Sequence, residues 1–117
     1  MARVKPPRRG DVYWVALDPT LGTEIRKTRP AVVVSNDSCN AYGSRVVVLP
    51  LTSNTSSLYP GEALVNVRGK KARALGDQLR SIDKKRLRRR IERLSVDELR
   101  NIDEALRITL ALHSIEP

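Results

Sequence analysis

The sequence predicts a mainly β domain, a small and strongly bent sheet or barrel, packed against one C-terminal helix. Short runs of β-branched and aromatic residues recur along the chain, separated by Pro, Gly, Asn and Asp. One segment near the C-terminus has helical periodicity behind a capping signature. The length, 117 residues with 40% hydrophobic, suffices for one core and is too small for two. Short strands plus a single helix in such a chain give a curled sheet rather than an open α/β layer.

Residues 1–9 are expected to form a short basic arm, because Pro6-Pro7 opposes regular structure there. Residues 10–117 then form a single domain. Asp11-Val-Tyr-Trp-Val-Ala-Leu17 is rich in β-formers and reads as the first strand. Asp18-Pro19 and Gly22 break that pattern and open a charged loop carrying Glu24, Arg26, Lys27 and Arg29. Pro30-Ala-Val-Val-Val-Ser-Asn36 reads as a buried strand with its Pro at the permitted first position. Asn36 to Gly43 is a turn or short helical connection. Arg45-Val-Val-Val-Leu-Pro-Leu-Thr52 is another strand, in which Pro50 demands a bulge or an edge.

Ser53 to Gly61 is a polar loop, and Ala63-Leu-Val-Asn-Val67 a short strand. Arg68-Gly-Lys-Lys71 has hairpin-like turn spacing. Arg73 to Ile82 reads as one strand, with Gly76 a bulge or a point of close approach. Asp83 to Arg86 fits one helical turn, and Leu87 to Leu94 reads as a basic strand. Ser95-Val-Asp-Glu98 fits a capping box, in which Ser and Glu satisfy free amides reciprocally. Leu99, Ile102, Leu106 and Leu110 then recur at helical spacing, beside Val96 and Ala105, predicting an amphipathic helix over about 95–113.

The net charge of +9 is localised. Between Arg68 and Arg93 stand twelve Lys/Arg and three Asp/Glu, so the remainder is balanced at ten against ten. A concentrated basic surface points to nucleic acid or an acidic partner; the plainer alternatives are a solvated face or contact with anionic lipid. With four aromatic residues and no Phe, base stacking has few platforms. Single copies of Cys39 and His113 exclude an internal disulfide and a Cys/His zinc site within one chain. Cys39 reads as a small packing residue and His113 as a surface or core residue. The start of the chain lacks the apolar stretch of a secretory signal, and no run approaches the roughly 18 apolar residues of a membrane helix. No membrane association is expected, and the chain is placed in the cytoplasm.

Several chemistries are excluded. There is no phosphate-cradling Gly-rich turn of the nucleotide-binding kinds. A two-histidine acid–base ribonuclease is unavailable within one chain, and carboxylates do not cluster as for two metals. No cofactor and no metal are expected. What remains is a constellation of Arg29, Glu24, Thr52 and Ser53, with Arg26 and Lys27 beside it in the loop as candidate contacts to a polyanion. If the strands at 30–36 and 45–52 pair antiparallel, Arg29 and Thr52 share one rim of the sheet. A guanidinium and a hydroxyl there suit a phosphate and the negative charge that develops on it.

Gly10-Asp-Val-Tyr-Trp-Val-Ala-Leu-Asp-Pro-Thr20, Gly22-Thr-Glu24 and Thr28-Arg-Pro-Ala-Val-Val-Val-Ser-Asn36 resemble the MazF/PemK family of toxin endoribonucleases (mRNA interferases). So do Val48-Leu-Pro-Leu-Thr-Ser53, Asp77-Gln-Leu-Arg-Ser-Ile-Asp83 and Leu94-Ser-Val-Asp-Glu-Leu99. The resemblance spans about residues 9–113. It implies an SH3-like β-barrel with a C-terminal helix, assembled as a homodimer. It implies the toxin of a type II toxin–antitoxin system, which cleaves single-stranded RNA (mRNA) at a short sequence without a metal. The 2′-OH would attack the phosphate, leaving a 2′,3′-cyclic phosphate and a 5′-OH. The family's catalytic arginine falls on Arg29, its catalytic threonine on Thr52, and a loop glutamate active in some members on Glu24. Its groove-lining Asp-Gln-x-Arg falls on Asp77, Gln78 and Arg80; Ser53, Arg26 and Lys27 complete the expected RNA contacts. The implied partner is an acidic, MazE-like antitoxin.

Ile25 stands where many members carry Gln, and Leu75 where some carry a second active-site arginine, so no cleavage sequence follows from the resemblance. Because Arg hardly deprotonates, Arg29 is better read as a phosphate clamp, with Thr52 donating to the phosphorane oxygens and Glu24 taking the 2′-OH proton. Two other functions compete. One is a toxin of the same fold that poisons gyrase; the other is a nucleic-acid-binding module without catalysis. The pairing of Arg29 with Thr52 favours the nuclease.

Overall fold

A computed structural model of the chain describes residues 5–17 and 28–112. Seven strands form one antiparallel sheet: β1 (Asp11–Ala16), β2 (Thr28–Val33), β3 (Arg45–Thr52), β4 (Glu62–Val67), β5 (Lys70–Leu75), β6 (Arg80–Asp83) and β7 (Leu87–Arg93). Two helices, α1 (Asp37–Tyr42) and α2 (Val96–Leu110), complete the fold. The order across the sheet is β4-β5-β3-β2-β1-β7, with β6 also pairing β3. The sheet curls into a half-barrel. Its two ends approach each other where Glu92 of β7 accepts a hydrogen bond from the Arg68 backbone N–H, at the turn between β4 and β5. No helix among the described residues is long and apolar enough to cross a membrane.

The curl originates in β3. One edge of that strand pairs β2. The other edge pairs β6 over Arg45–Val48 and then β5 over Leu51–Thr52. Pro50, expected at a bulge or an edge, sits instead in a central strand, between these two stretches of pairing. A residue without an N–H fits there because neither neighbour needs its donor.

The stretch Arg73 to Ile82, read as one strand, is two. A 3-10 turn at Gly76–Gln78 separates β5 from β6. Gly76 opens that turn, at a point where no side chain fits: a Cβ on it would stand 2.2 Å from the Gly61 carbonyl oxygen and 2.7 Å from Thr109 Oγ1. The expected close approach is therefore real, and the Gly76 N–H donates to the Gly61 carbonyl at 3.2 Å. Arg68 and Gly69 both have positive φ, 51° and 78°, which makes a tight two-residue hairpin turn between β4 and β5.

The two faces of the sheet bury different clusters. One packs Val12, Val32, Leu49, Leu51 and Val65 with Ile102 and Ala105 of α2. The other packs Val15, Ala31, Val33, Val46, Val48 and Ile82. The alternation along each strand divides the two sets. In α2 the capping box forms as expected: Ser95 Oγ accepts from the Glu98 N–H, and Glu98 accepts from the Ser95 N–H. The Glu98 carboxylate also accepts from the Asn66 N–H of β4. Partial burial raises its pKa, but these backbone bonds and the Ser95 hydroxyl outweigh that and hold it below the ordinary value of 4.5. The helix is shorter than expected. Leu110 and Val96 are exposed, while Leu99 and Leu106 pack on the core. His113 lies outside the described residues.

Asn36 caps α1 through the Cys39 N–H at 2.8 Å, so the connection is helical. Cys39 itself is exposed, not a packing residue, because the short helix turns it outward and buries Asn40 instead. Arg9, placed in the basic arm, is tied to the domain. Its backbone N–H donates to Asp37 at 2.7 Å, its Nε donates to the Val34 carbonyl at 3.1 Å, and its guanidinium pairs with Asp103.

Candidate functional site

Arg29 is the second residue of β2, and Thr52 closes β3. The two strands pair antiparallel with Ala31 opposite Pro50. Continuing that register by two residues puts Arg29 opposite Thr52. The side chains at such positions stand about 4.5–5.5 Å apart at Cβ. On its far side Thr52 is opposite Arg73 of β5. Sheet pairing thus sets a hydroxyl between two guanidinium-bearing residues on one face.

The rim separates two concavities that share Arg29, Leu51 and Thr52. The larger, about 590 Å³, is mostly apolar, with Trp14, Pro30 and Ile91 in its wall and Arg68, Lys70 and Lys71 at its edge. Ser53 lines it too. The smaller, about 300 Å³, is polar and adds Arg73, Gln78 and Arg80. Three cationic side chains therefore converge on a small cleft beside Thr52. The hydroxyl is oriented locally: Thr52 Oγ1 accepts from the Asn54 N–H at 3.2 Å. A hydroxyl that accepts on one side keeps its proton to donate on another. The loop beyond is braced by Asn54, whose Oδ1 accepts from both Ser56 N–H and Ser56 Oγ.

Of the residues singled out from sequence, Arg29, Thr52, Ser53, Gln78 and Arg80 thus come together. Asp77 is exposed on the 3-10 turn and lines neither concavity. Glu24, Arg26 and Lys27 lie outside the described residues. Among the described residues, no three His, Cys, Asp or Glu side chains gather as metal ligands.

Sequence reasoning missed Arg73, Trp14 and Lys71 as site residues. The signal was available in Lys71-Ala-Arg-Ala-Leu75, where large side chains alternate with buried alanines. That period of two puts Lys71, Arg73 and Leu75 on one face.

Much of the remaining basic stretch has structural work. Arg86 donates to the Ala16 carbonyl at 3.0 Å, and Arg88 to the Lys85 carbonyl. Arg90 stands 3.2 Å from Oδ1 of the buried Asp11. The Arg88-Arg-Arg90 run is thus partly scaffold.

Residues 8–110 match the family of PemK-like, MazF-like toxins of type II toxin–antitoxin systems. The chain belongs to that family. It is 42% identical over 116 residues to Endoribonuclease MazF9 of Mycobacterium tuberculosis, covering 92% of this chain and 98% of that protein. Among solved structures it resembles a MazE–MazF crystal structure from Deinococcus radiodurans, with a TM-score of 0.81 and 26% identity over 94% of this chain and all of that one. A MazF crystal structure from the same organism gives a TM-score of 0.76 and 26% identity, over 92% of this chain and 99% of that one. The half-barrel with its terminal helix is thus the fold of MazF toxins, and the Arg29–Thr52 rim is a feature of a MazF-family chain.

Proposed function

We propose that the rim formed by Arg29 and Thr52 holds and cleaves a phosphodiester of single-stranded RNA. The chain is a MazF-family toxin endoribonuclease, and the reaction at this rim is inferred from its chemistry. The observation that carries the reading is the β2–β3 register, which sets a guanidinium beside a donating hydroxyl over a cationic cleft.

The 2′-oxygen attacks phosphorus as its proton leaves to a base. The bond to the 5′-oxygen breaks, and that oxygen takes a proton. A 2′,3′-cyclic phosphate and a 5′-OH result. Arg29 clamps the phosphate bidentately and stays charged throughout, since arginine is not deprotonated in proteins. Thr52 donates to an oxygen that gains charge in the phosphorane. Glu24 is the proposed base on the strength of the sequence. Gln78 and Arg80, with Ser53 on the other side, hold the flanking nucleotides; Arg26, Lys27 and Asp77 are further proposed contacts.

We also infer a homodimer acting in the cytoplasm, restrained by an acidic antitoxin that competes for the basic edge of the larger concavity. Arg68, Lys70 and Lys71 there suit a carboxylate-rich chain.

Incubation with a long single-stranded RNA in excess EDTA, with mapping of every new end, tests the reading. Cuts recurring at one short sequence, with 5′-OH ends and none from Arg29→Ala, are expected. RNA retained without cuts would leave only a binding module. Neither cuts nor binding would point to a protein target such as gyrase.

A further inference from the structure

We propose that Arg73 is a second phosphate-contacting residue of the site, flanking Thr52 on the side opposite Arg29. The inference rests on the reading of the rim as an RNA-cleaving site. Three strands set the row: Arg29 on β2, Thr52 on β3 and Arg73 on β5, with Thr52 and Arg73 direct cross-strand partners. All three side chains line the smaller, polar cleft.

Arg73 is held in place and incompletely satisfied. Its Nη1 donates to the Ser57 carbonyl at 2.6 Å, and the same atom stands 3.6 Å from Glu62 Oε1. That carboxylate oxygen already accepts from the Tyr59 N–H at 2.9 Å. The Arg73 side chain is only 14% exposed, and its buried Nε has no hydrogen-bond partner among the described residues. An arginine in this setting is desolvated and weakly compensated, which is costly in a free protein. Guanidinium presents Nε and Nη2 together as one bidentate edge. Nη1 is engaged by the loop and Nε is fully buried, so of that edge Nη2 is the nitrogen that can meet an acceptor from the cleft. A phosphate oxygen entering beside Thr52 supplies one. Arg29 and Arg73 then take the charge of the phosphate from two sides, and Thr52 donates between them.

The rival role is a strut. Through Ser57, Arg73 tethers the 53–61 loop, and its loss would then disturb only the loop. Salt dependence separates the two, because each phosphate contact on a single strand contributes about 0.7 to the slope of log affinity against log salt. The probe is an RNA with 2′-deoxy substitution at the mapped cleavage position, bound by full-length protein over a range of salt. Arg73→Gln is expected to lower that slope by about 0.7 and to slow cleavage of the all-ribose RNA at least tenfold. Glu62→Gln keeps an acceptor for Tyr59 but removes the opposing charge, and is expected to tighten RNA binding several-fold. An Arg73→Gln protein that melts like wild type with unchanged slope and rate would overturn the phosphate contact. So would a Glu62→Gln protein that binds no tighter, a result that stands even if Arg73→Gln folds poorly. Wild-type protein that cuts no RNA would instead remove the underlying reading.

Discussion

Where α2 covers the sheet, Ile102 and Ala105 are buried against strand residues, and the first turn of the helix is closed by reciprocal Ser95 and Glu98 bonds. At the rim, Arg29 is exposed, Thr52 is half-buried with a hydroxyl that keeps a proton to donate, and Arg73 carries a buried nitrogen without a partner among the described residues. The first region gains stability by removing apolar area from water and satisfying its polar groups. The second leaves charge and hydrogen-bonding capacity unspent, which serves a ligand rather than the fold. Changes in the two regions should therefore separate stability from cleavage.

The largest effect is expected at the rim. Arg29→Ala should lower the cleavage rate by about 10³-fold, on the order of 4 kcal/mol of transition-state stabilisation. Its melting temperature should stay near wild type, because an exposed side chain is removed. Arg29→Lys sharpens the point: near-full activity would mean that a point charge suffices and no bidentate clamp exists.

Ile102→Ala inverts the comparison. It should cost about 3 kcal/mol of stability through the cavity it leaves. Chemical denaturation measures that loss, and the rate per folded molecule should be unchanged. Gly76→Ala strikes the joint between the regions, since its Cβ would collide with the Gly61 carbonyl and with Thr109 of α2. A loss of about 2 kcal/mol is expected, accompanied by slower cleavage because Gln78 and Arg80 follow from that turn. A loss of stability with full activity would show that the turn does not position the cleft.

The smallest effect is pH-dependent. The folded protein holds the Glu98 pKa below 4.5. Its stabilisation is thus fully present above that value and disappears as pH falls through the lower, folded value. Glu98→Gln should cost about 1 kcal/mol at neutral pH. Melting temperatures of the two proteins should converge in acid below 4.5. A gap constant across that range would assign the stabilisation to packing instead of the carboxylate.

The sequence by itself determined the local elements and the residue types of the site. β-branched runs, the Ser95 cap and the helical period of α2 are short-range preferences, readable because neighbours in sequence create them. The same holds for the rim at Arg29 and Thr52, since two strands joined by a short helix pair antiparallel by default. The concentration of charge between Arg68 and Arg93 was equally plain, but its division into scaffold and site was not. Arg86, Arg88 and Arg90 turn toward backbone carbonyls and Asp11, whereas Arg73, though tied to the Ser57 carbonyl, lines the cleft.

Only the tertiary structure decided how the segment from Arg73 to Ile82 divides. Its local pattern is a continuous strand. The approach of the Gly61 carbonyl and Thr109, far away in sequence, leaves no room for a side chain at Gly76, where β5 gives way to the 3-10 turn. The break lets β5 and β6 occupy successive lengths of one edge of β3, and so brings Arg73 opposite Thr52. Register across strands is fixed by distant backbone partners and shared burial, and a one-residue slip would turn Arg73 to the opposite face. The composition of the cleft was therefore written along the chain, while its third member was chosen by the curl of the sheet.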